Sequence, residues 1–224
     1  MTTPAFQTIN TVFDARHSCR AFLPDAVPRD VIEQIVATAQ KVPSWCNCQP
    51  WQLIVTTPPQ TQAVADLLYA ASEDGMHAPD IEFPEKYNGI YRARRAECGY
   101  QLYDAVGIAK GDRAASTLQM RENYRLFGAP HLALITAPVE QGPYGMMDCG
   151  GFISAFTLVA QSLGVASIAQ AALAGYAPLL RAHFDIPQDR HILCGISFGY
   201  ADPAHPINQF RTSRADPDQV IDWR

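Results

Sequence analysis

The chain has 224 residues, of which 48% are apolar and 17% are charged, and its formal net charge is −5. This composition supports one folded domain with a sizeable core and excludes wholesale disorder. A mildly acidic chain lacks the basic surface expected of a protein that binds nucleic acid or an anionic membrane. Six cysteines without an N-terminal export signal indicate free thiols in a cytoplasmic protein rather than disulfides.

The first elements along the chain are two predicted helices with a strand between them. Pro28 and Asp30 are typical of a helix start, and an apolar face follows to about Lys41. Residues 53–56 predict a buried strand, and the two prolines after it end the strand before a helix that includes Leu68.

The middle of the chain predicts an excursion from the core. Residues 75–89 are polar and irregular, and helical spacing returns at 96–110 and again at 113–124. We expect residues 75–95 to cover an active site. A strand is then predicted at 131–137.

The last third mixes helices and strands without strict βαβ alternation. We therefore expect an α+β sandwich, in which helices flank a mostly antiparallel central sheet. The tail at 201–224 has little periodicity but ends near an aromatic residue, so we expect it to wrap a neighbouring subunit or to add an edge strand. The other predicted elements are an apolar helix at 146–163, strands at 165–170 and 191–200, and a helix ending at Phe184.

The loop at residues 43–51 concentrates two prolines, two tryptophans, two thiols and two amides in nine residues. A stiff loop of this kind favours binding of a planar, polar ligand. Ser44 and Asn47 are the candidate ligand contacts, whereas Trp51 directly precedes a strand and is assigned to the core. No second closely spaced Cys or His pair accompanies the two cysteines, so the spacing predicts no metal site.

Two arginine-rich segments are candidates for an anion site. Arg16, Ser18 and Arg20 alternate, so an extended backbone would place them on one face, where two guanidinium groups flank a hydroxyl. The same pattern is also typical of a solvated edge that pairs with surface carboxylates. Arg211 to Arg214 supplies two more arginines and two hydroxyls, more positive charge than a neutral ligand needs.

Small residues at 169–175 lie between a predicted strand and a predicted helix. They would let a flat ligand approach the backbone closely, although a tight turn alone would also use them.

In their order along the chain, these segments resemble the FMN-dependent nitroreductase family. The resemblance spans essentially the whole sequence, and it depends on the combination rather than on any single motif. The segments that carry it are Arg16–Arg20, the helix led by Val27–Pro28, Pro43–Trp51, Phe127–His131, Gln170–Ala174, Gly195–Asp202 and Arg211–Arg214.

The resemblance implies a nitroreductase-like three-layer sandwich, a single domain over 1–224, that forms a homodimer with a domain-swapped tail and two FMN sites at the interface. It assigns Arg16, Ser18 and Arg214 to the FMN phosphate and Arg20 to the ribityl chain or the pyrimidine edge. It also implies no residue that acts as a chemical catalyst. The remaining cofactor contacts are Pro43, Ser44 and Asn47 from the partner subunit, and the backbone of Ala169, Gln170 and Ala171 facing flavin N5.

The activity implied is hydride transfer from NADH or NADPH through flavin N5 to a nitroaromatic or quinone acceptor by a ping-pong mechanism, with a nitrobenzoate as one candidate. Phe83, Tyr87 and Phe127 are the predicted aromatic contacts of that acceptor. Two alternatives remain open. One is a reductive dehalogenase or flavin-fragmenting enzyme of the same fold, and the other is a flavin-binding protein without enzymatic activity.

Overall fold

An antiparallel sheet forms the centre of the computed structural model, which describes residues 2–224. Its four strands are β1 (Gln52–Val55), β2 (His131–Pro138), β3 (Ala166–Gln170) and β4 (Arg190–Gly199). Their order across the sheet is β1-β2-β4-β3, and all three neighbouring pairs are antiparallel. The α-helices of these residues are α1 (Pro4–Ala15), α2 (Arg29–Ala39), α3 (Pro58–Ala71), α4 (Gly89–Ala105), α5 (Arg113–Arg121), α6 (Gly142–Ser162) and α7 (Ala177–Phe184).

Two apolar layers cover the two faces of the sheet. Alternation along β2 produces them, because successive side chains of a strand point to opposite faces. Ala133 and Ile135 pack in the cluster formed with α2 and α6. Leu132 and Leu134 pack in the cluster formed with α3 and α7. The predicted α+β sandwich with an antiparallel sheet is confirmed.

The predicted assignment of Trp51 to the core is confirmed. Its side chain is 8% exposed and stacks on Phe152 of α6, with ring centroids 5.1 Å apart. Burial of an aromatic side chain of this size contributes about 1.5–3 kcal/mol. The start of β1 is thereby fixed against α6, which in turn fixes where the loop at 43–51 leaves the core.

Helix α6 is buried on one side and open on the other. Phe152 and Phe156 are fully buried, whereas Tyr144 and Met147 are 57% and 70% exposed. The mostly apolar sequence of α6 predicts burial on most sides, in the core or at a subunit interface. One side is buried in the core, and burial of the other side at a subunit interface stays a prediction.

Two helical segments differ from the sequence prediction because they pack little against the core. Helix α1 was not predicted, and α4 begins at Gly89 rather than at residue 96. Neither helix contains a buried residue. An apolar stripe that faces a core is the main signal for a helix, and these two segments do not have one that is buried.

The tail folds back on its own chain without adding a strand to the described sheet. It starts with a bridge between Ala201 and Phe22 and contains two short 3₁₀ turns, at Pro206–Asn208 and Pro217–Gln219. An edge strand supplied to a partner stays a prediction. Among residues 2–224, no helix is both long and apolar enough to cross a membrane.

Candidate functional site

The first arginine segment runs in an extended conformation along the free edge of β3. Ser18 pairs with Ser167 in a parallel bridge, and the Cys19 N–H donates to the Ser167 carbonyl at 3.1 Å. Cys19 points inward and is fully buried. Arg16, Ser18 and Arg20 line one cavity, as the predicted shared face requires, although His17 lines it too, and Cys19 faces the interior.

Asn208 attaches the tail to this segment, next to the pairing of Ala201 with Phe22. Asn208 is 5% exposed, and its Oδ1 accepts a hydrogen bond from the Arg20 N–H at 2.8 Å. Its Nδ2 donates to the carbonyls of Ala21 and Asp202, at 2.9 and 3.0 Å. All three contacts are to backbone groups, so Asn208 determines the path of the backbone that follows it. The second arginine segment is thereby brought beside the first.

The two segments enclose a cavity of about 520 Å³, which we call the arginine pocket. The four guanidinium groups on it, those of Arg16, Arg20, Arg211 and Arg214, have no carboxylate within ion-pair distance among residues 2–224. Asp14 also lines the pocket, but its carboxylate accepts from Asn10 instead. The lining residues are Phe13, Asp14, Arg16, His17, Ser18, Arg20, Cys98, Phe210, Arg211, Thr212 and Arg214.

The arginines of the pocket are bonded only to neutral oxygens of nearby residues. Arg20 Nη1 donates to the Ser18 carbonyl at 3.2 Å, Arg211 Nη1 to the Asn208 carbonyl at 2.8 Å, and Arg214 Nη1 to Thr212 Oγ1 at 2.8 Å. The alternative of a solvated edge with carboxylate partners is therefore not what the described residues show. Each guanidinium keeps further N–H donors for a ligand.

The electrostatics of the pocket favour an anion. Burial, followed by the charge of Arg214, lowers the pKa of Arg16, and burial lowers the pKa of Arg20. Burial also lowers the pKa of His17, with Arg211 as the largest repelling charge. Cations crowded and partly desolvated without a counter-ion are unfavourable. A bound phosphate would remove this cost through charge-assisted hydrogen bonds.

The predicted backbone wall at residues 169–171 lies beside the arginine pocket. Ala169 lines a smaller cavity of about 280 Å³ together with Arg16 and Ser18. Ala169 and Ala171 are exposed, and β3 is an edge strand of the described sheet. A flat ligand can therefore approach the backbone here, because only methyl groups stand in front of it. Gln170, between the two alanines, points into the protein and is 3% exposed.

The loop at 43–51 has a defined and strained conformation. Cys46, Asn47 and Gln49 have positive φ angles of 49°, 57° and 48°. A left-handed conformation costs roughly 1–2 kcal/mol for a residue with a side chain. Ser44 Oγ accepts from the Gln49 N–H at 3.0 Å, which supports the turn and leaves the hydroxyl hydrogen free to donate elsewhere.

Helix α6 holds the same loop in place. The Trp45 N–H donates to Asp148 Oδ2 at 3.0 Å, and the Trp45 ring packs on Tyr144 with centroids 4.8 Å apart. Trp45 is nevertheless 60% exposed, and Pro43 and Asn47 are exposed too. The loop is thus folded by its own chain while its tip contacts solvent.

The loop and the arginine pocket lie at diagonally opposite corners of the sheet. The loop precedes β1, whose first residue aligns through β2 with Ile192 of β4. Ser18 bridges to Ser167, which aligns with Phe198 at the other end of β4. Strand spacings and residue rises put more than about 20 Å between the two corners. The structure therefore does not bring Ser44 and Asn47 to the arginines of the same chain.

The three predicted acceptor contacts are dispersed. Phe83 is 38% exposed and packs edge-on against His77, and Tyr87 lies under the guanidinium of Arg95 at 5.3 Å. Phe127 is 6% exposed and lines a cavity of about 570 Å³ together with Arg20. Phe127 thus shares a cavity with a predicted cofactor residue, whereas Phe83 and Tyr87 do not line the arginine pocket.

Several residues that line the arginine pocket were not singled out from the sequence, Phe13 and Cys98 among them. Arg211 belonged to the predicted second arginine segment, although the phosphate was assigned to Arg214. Phe13 could have been found from the helical spacing of apolar residues in α1. Cys98 comes from α4, which is joined to the tail by a hydrogen bond from Ser213 Oγ to Glu97 Oε1 at 3.0 Å. No local sequence pattern places that helix over the pocket.

Comparisons with known proteins place this geometry in a family. A model of the nitroreductase family matches residues 14–200. Nitroreductase NfnB of Mycolicibacterium smegmatis is 33% identical over 210 residues, covering 93% of this chain and 89% of that protein. A 4-nitrobenzoate reductase of Nocardioides sp. is 30% identical, covering 97% of this chain and 90% of that protein. The crystal structure of FMN-dependent NfnB from Mycobacterium smegmatis in complex with NADPH superposes with a TM-score of 0.92 at 32% identity, covering 97% of this chain and 98% of that one.

Proposed function

This chain belongs to the nitroreductase family, and we propose that it is an FMN-dependent oxidoreductase that uses NADPH or NADH to reduce nitroaromatic or quinone acceptors. The observation that carries the proposal is the arginine pocket. Four guanidinium groups without a carboxylate partner in the described chain surround about 520 Å³ of space. Such a site favours an anion, and a phosphate monoester is a suitable one.

The residues fit FMN at both ends of the site. Arg16, Ser18 and Arg214 would hold the phosphate, because they share one cavity and offer donors without competing carboxylates. The backbone at 169–171 is accessible behind small side chains, so a planar ring could lie against it. When bound, FMN supplies reversible two-electron chemistry at its N5 position.

The contribution of the protein would then be binding, orientation and charge. Arg20 would place a positive charge near the pyrimidine edge of the ring, where electron density increases on reduction. Its guanidinium is well suited to this, since it is bonded only to the Ser18 carbonyl. No side chain would need to donate or accept a proton in the hydride step, so no residue is proposed as a chemical catalyst.

We further propose that the site is completed by a second copy of the chain. Pro43, Ser44 and Asn47 are exposed or half-exposed at the far corner of the sheet, where they face no cofactor residue of their own chain. The exposed face of α6 and the outer residues of α1 form an apolar surface typical of subunit interfaces. Its members are Phe6, Ile9, Phe13, Tyr144 and Met147. A monomer would accordingly be inactive.

The acceptor class is proposed from the relatives. Proteins named 4-nitrobenzoate reductase in Nocardioides sp. and in Pseudomonas putida are 30% and 31% identical to this chain. We expect nitroaromatics, nitrobenzoates among them, and quinones to be reduced with ping-pong kinetics, since donor and acceptor would use the same open face in turn.

The decisive experiment is to purify the protein, add FMN, remove the unbound flavin and record a visible spectrum. NADPH or NADH oxidation is then followed with and without 4-nitrobenzoate. We expect a yellow protein and an oxidation rate that depends on the acceptor. A protein that retains no FMN would refute the proposal. Yellow protein without turnover of any acceptor would favour a binding protein, and loss of flavin absorbance during turnover would favour flavin fragmentation.

A further inference from the structure

Gln170 lies at the end of β3 and points away from the cavity that its neighbours face. Ala169 and Ala171 are exposed, whereas the Gln170 side chain is 3% exposed. The alternation of side chains along a strand explains the contrast. A ligand on the outer side can therefore contact the backbone of this segment but not the Gln170 amide.

Both ends of the buried amide are hydrogen-bonded. Ser197 Oγ, fully buried on central strand β4, donates to Gln170 Oε1 at 2.5 Å. Gln170 Nε2 donates to the Asn123 carbonyl at 2.9 Å and contacts Asn123 Oδ1 at 3.3 Å. Asn123 Nδ2 donates to the Met120 carbonyl at 2.8 Å. This hydrogen bond turns Asn123 Oδ1 towards Gln170. The amide orientation is thus determined by its partners.

Asn123 begins the turn at residues 123–128 that returns the chain from α5 to the sheet. Leu126, Phe127 and Gly128 have positive φ angles of 55°, 54° and 76°. A turn with two consecutive non-glycine residues in the left-handed region persists only where its surroundings hold it. The same turn supplies Phe127 and Gly128 to the cavity that contains Arg20.

We propose that Gln170 is a positioning residue for the reaction, which joins the backbone wall at 169–171 to the turn at 123–128. The Gln170 amide links the backbone wall to the turn and to the centre of the sheet, so that the three hold a fixed arrangement. The inference rests on the proposed function, because it assigns to the wall the task of orienting the reactive edge of FMN. The turn then carries Phe127 at a fixed separation from that wall.

The first test replaces Gln170 with methionine, which has similar length and no hydrogen-bonding amide. FMN should still bind with the dissociation constant of the parent protein, because the arginines are unchanged. The visible absorption bands and the reduction potential of bound FMN should shift, and kcat should fall by about 10- to 100-fold, the loss typical of a small misplacement. The control is Gln62→Met, which makes the same replacement on the exposed surface of α3, where Gln62 Nε2 donates to Asp66 Oδ1 at 2.8 Å, and which should behave like the parent.

The second test is Gln170→Glu, which separates positioning from packing. A protonated carboxyl can accept from Ser197 and donate to the Asn123 carbonyl, as the amide does, whereas a carboxylate lacks the donor. Both partners are uncharged, and burial favours the protonated form. The spectrum and kcat of this variant, measured against the parent at each pH, should therefore be restored at acid pH and lost at alkaline pH.

Two results would overturn the inference. A Gln170→Met protein with the spectrum, potential and kcat of the parent would show that the amide orients nothing. Equal impairment of both variants at every pH, together with a lower melting temperature, would assign Gln170 to packing alone. Failure of the parent protein to bind FMN is a separate result, which would count against the proposed function.

Discussion

The arginine pocket and the loop at residues 43–51 are both energetically costly, but the cost differs in kind. In the pocket it is electrostatic, since Arg16 and Arg20 are partly buried and their pKa values are lowered. In the loop it is conformational, because three residues are left-handed, among them Cys46 and Asn47. The four guanidinium groups of the pocket have no carboxylate partner among residues 2–224, whereas the loop is hydrogen-bonded to its own chain and presents an exposed tip.

This contrast indicates what each region needs. Unpaired charges that converge on a cavity need a ligand. A rigid, exposed loop with an aromatic residue that is 60% exposed is typical of a surface that meets another protein. One region would therefore bind the cofactor, and the other would complete the cofactor site of a second subunit. The following predictions test that division, from the largest expected effect to the smallest.

Removing a guanidinium from the pocket should have the largest effect. Arg214→Ala deletes a charge-assisted phosphate contact of about 1.5–3 kcal/mol, which corresponds to roughly 12- to 150-fold weaker FMN binding. Titration of the apoprotein by flavin fluorescence measures the change. Arg29→Ala is the matched control, since Arg29 pairs with Glu33 on the surface of α2 at 2.7 Å. Unchanged FMN affinity of Arg214→Ala would show that the phosphate lies elsewhere.

A substitution in the loop should have a smaller effect on FMN affinity, and that effect should appear at the FMN site of the other subunit. Asn47→Gly keeps the left-handed backbone and removes the amide, so the loss is that of one neutral hydrogen bond, about 0.5–1.5 kcal/mol or roughly 2- to 12-fold in FMN affinity. Ser44 is left intact because its Oγ supports the turn through Gln49.

Mixed dimers decide whether the two regions serve one site. Chains with Arg214→Ala and chains with Asn47→Gly, carrying different affinity tags, are expressed together and the mixed dimer is purified. If the loop completes the site of its partner, one site carries both changes and the other carries none, so half of the sites should bind FMN with the affinity of the parent. Two site populations that are each weakened by one of the two substitutions, with no parent-like site, would place both regions on one chain.

The smallest expected effect is the pH dependence of the stability of the apoprotein. Burial, the largest cause, lowers the pKa of His17 from its ordinary value of 6.5, so the unfolded chain binds a proton more readily than the folded one. The contribution of His17 to the free energy of unfolding should therefore be fully present above about pH 6.5. It should decrease as the pH falls through the pKa that His17 has in the folded protein. We expect less than about 1 kcal/mol in the apoprotein, because the group is partly solvated.

Urea unfolding of the apoprotein at several pH values measures this effect. The variant His17→Gln should lose that part of the pH dependence, and added FMN should reduce it in the parent by neutralising Arg16 and Arg211 around the ring. An identical pH profile for the parent and the variant would show that His17 does not contribute.

Much of the fold could be predicted because its central elements are buried on a regular period. Strands β2 and β4 and helix α2 carry apolar residues at the spacing that a core requires, and their positions agree with the prediction to within about two residues. Helix α1 and the start of α4 could not be predicted in this way, since their apolar residues do not face the core of this chain.

Some residues of the candidate site could likewise be predicted from the sequence, and others could not. Residue type and alternation made Arg16 and Ser18 candidates, and the family resemblance added Arg214 as a phosphate contact. The structure brings the three to one cavity. The contribution of Cys98 depends on how a loosely packed helix lies over the tail, which no local pattern encodes. The places of Phe83 and Tyr87 depend on the same excursion, and both lie away from that cavity.

Asn208 has a consequence for the order in which the chain folds. It attaches the tail to Arg20 through a hydrogen bond that spans 188 residues of sequence. The entropy of closing so long a loop opposes this contact until the intervening chain is ordered. We therefore expect the arginine pocket to form late in folding, after the sheet edge that carries the first arginine segment.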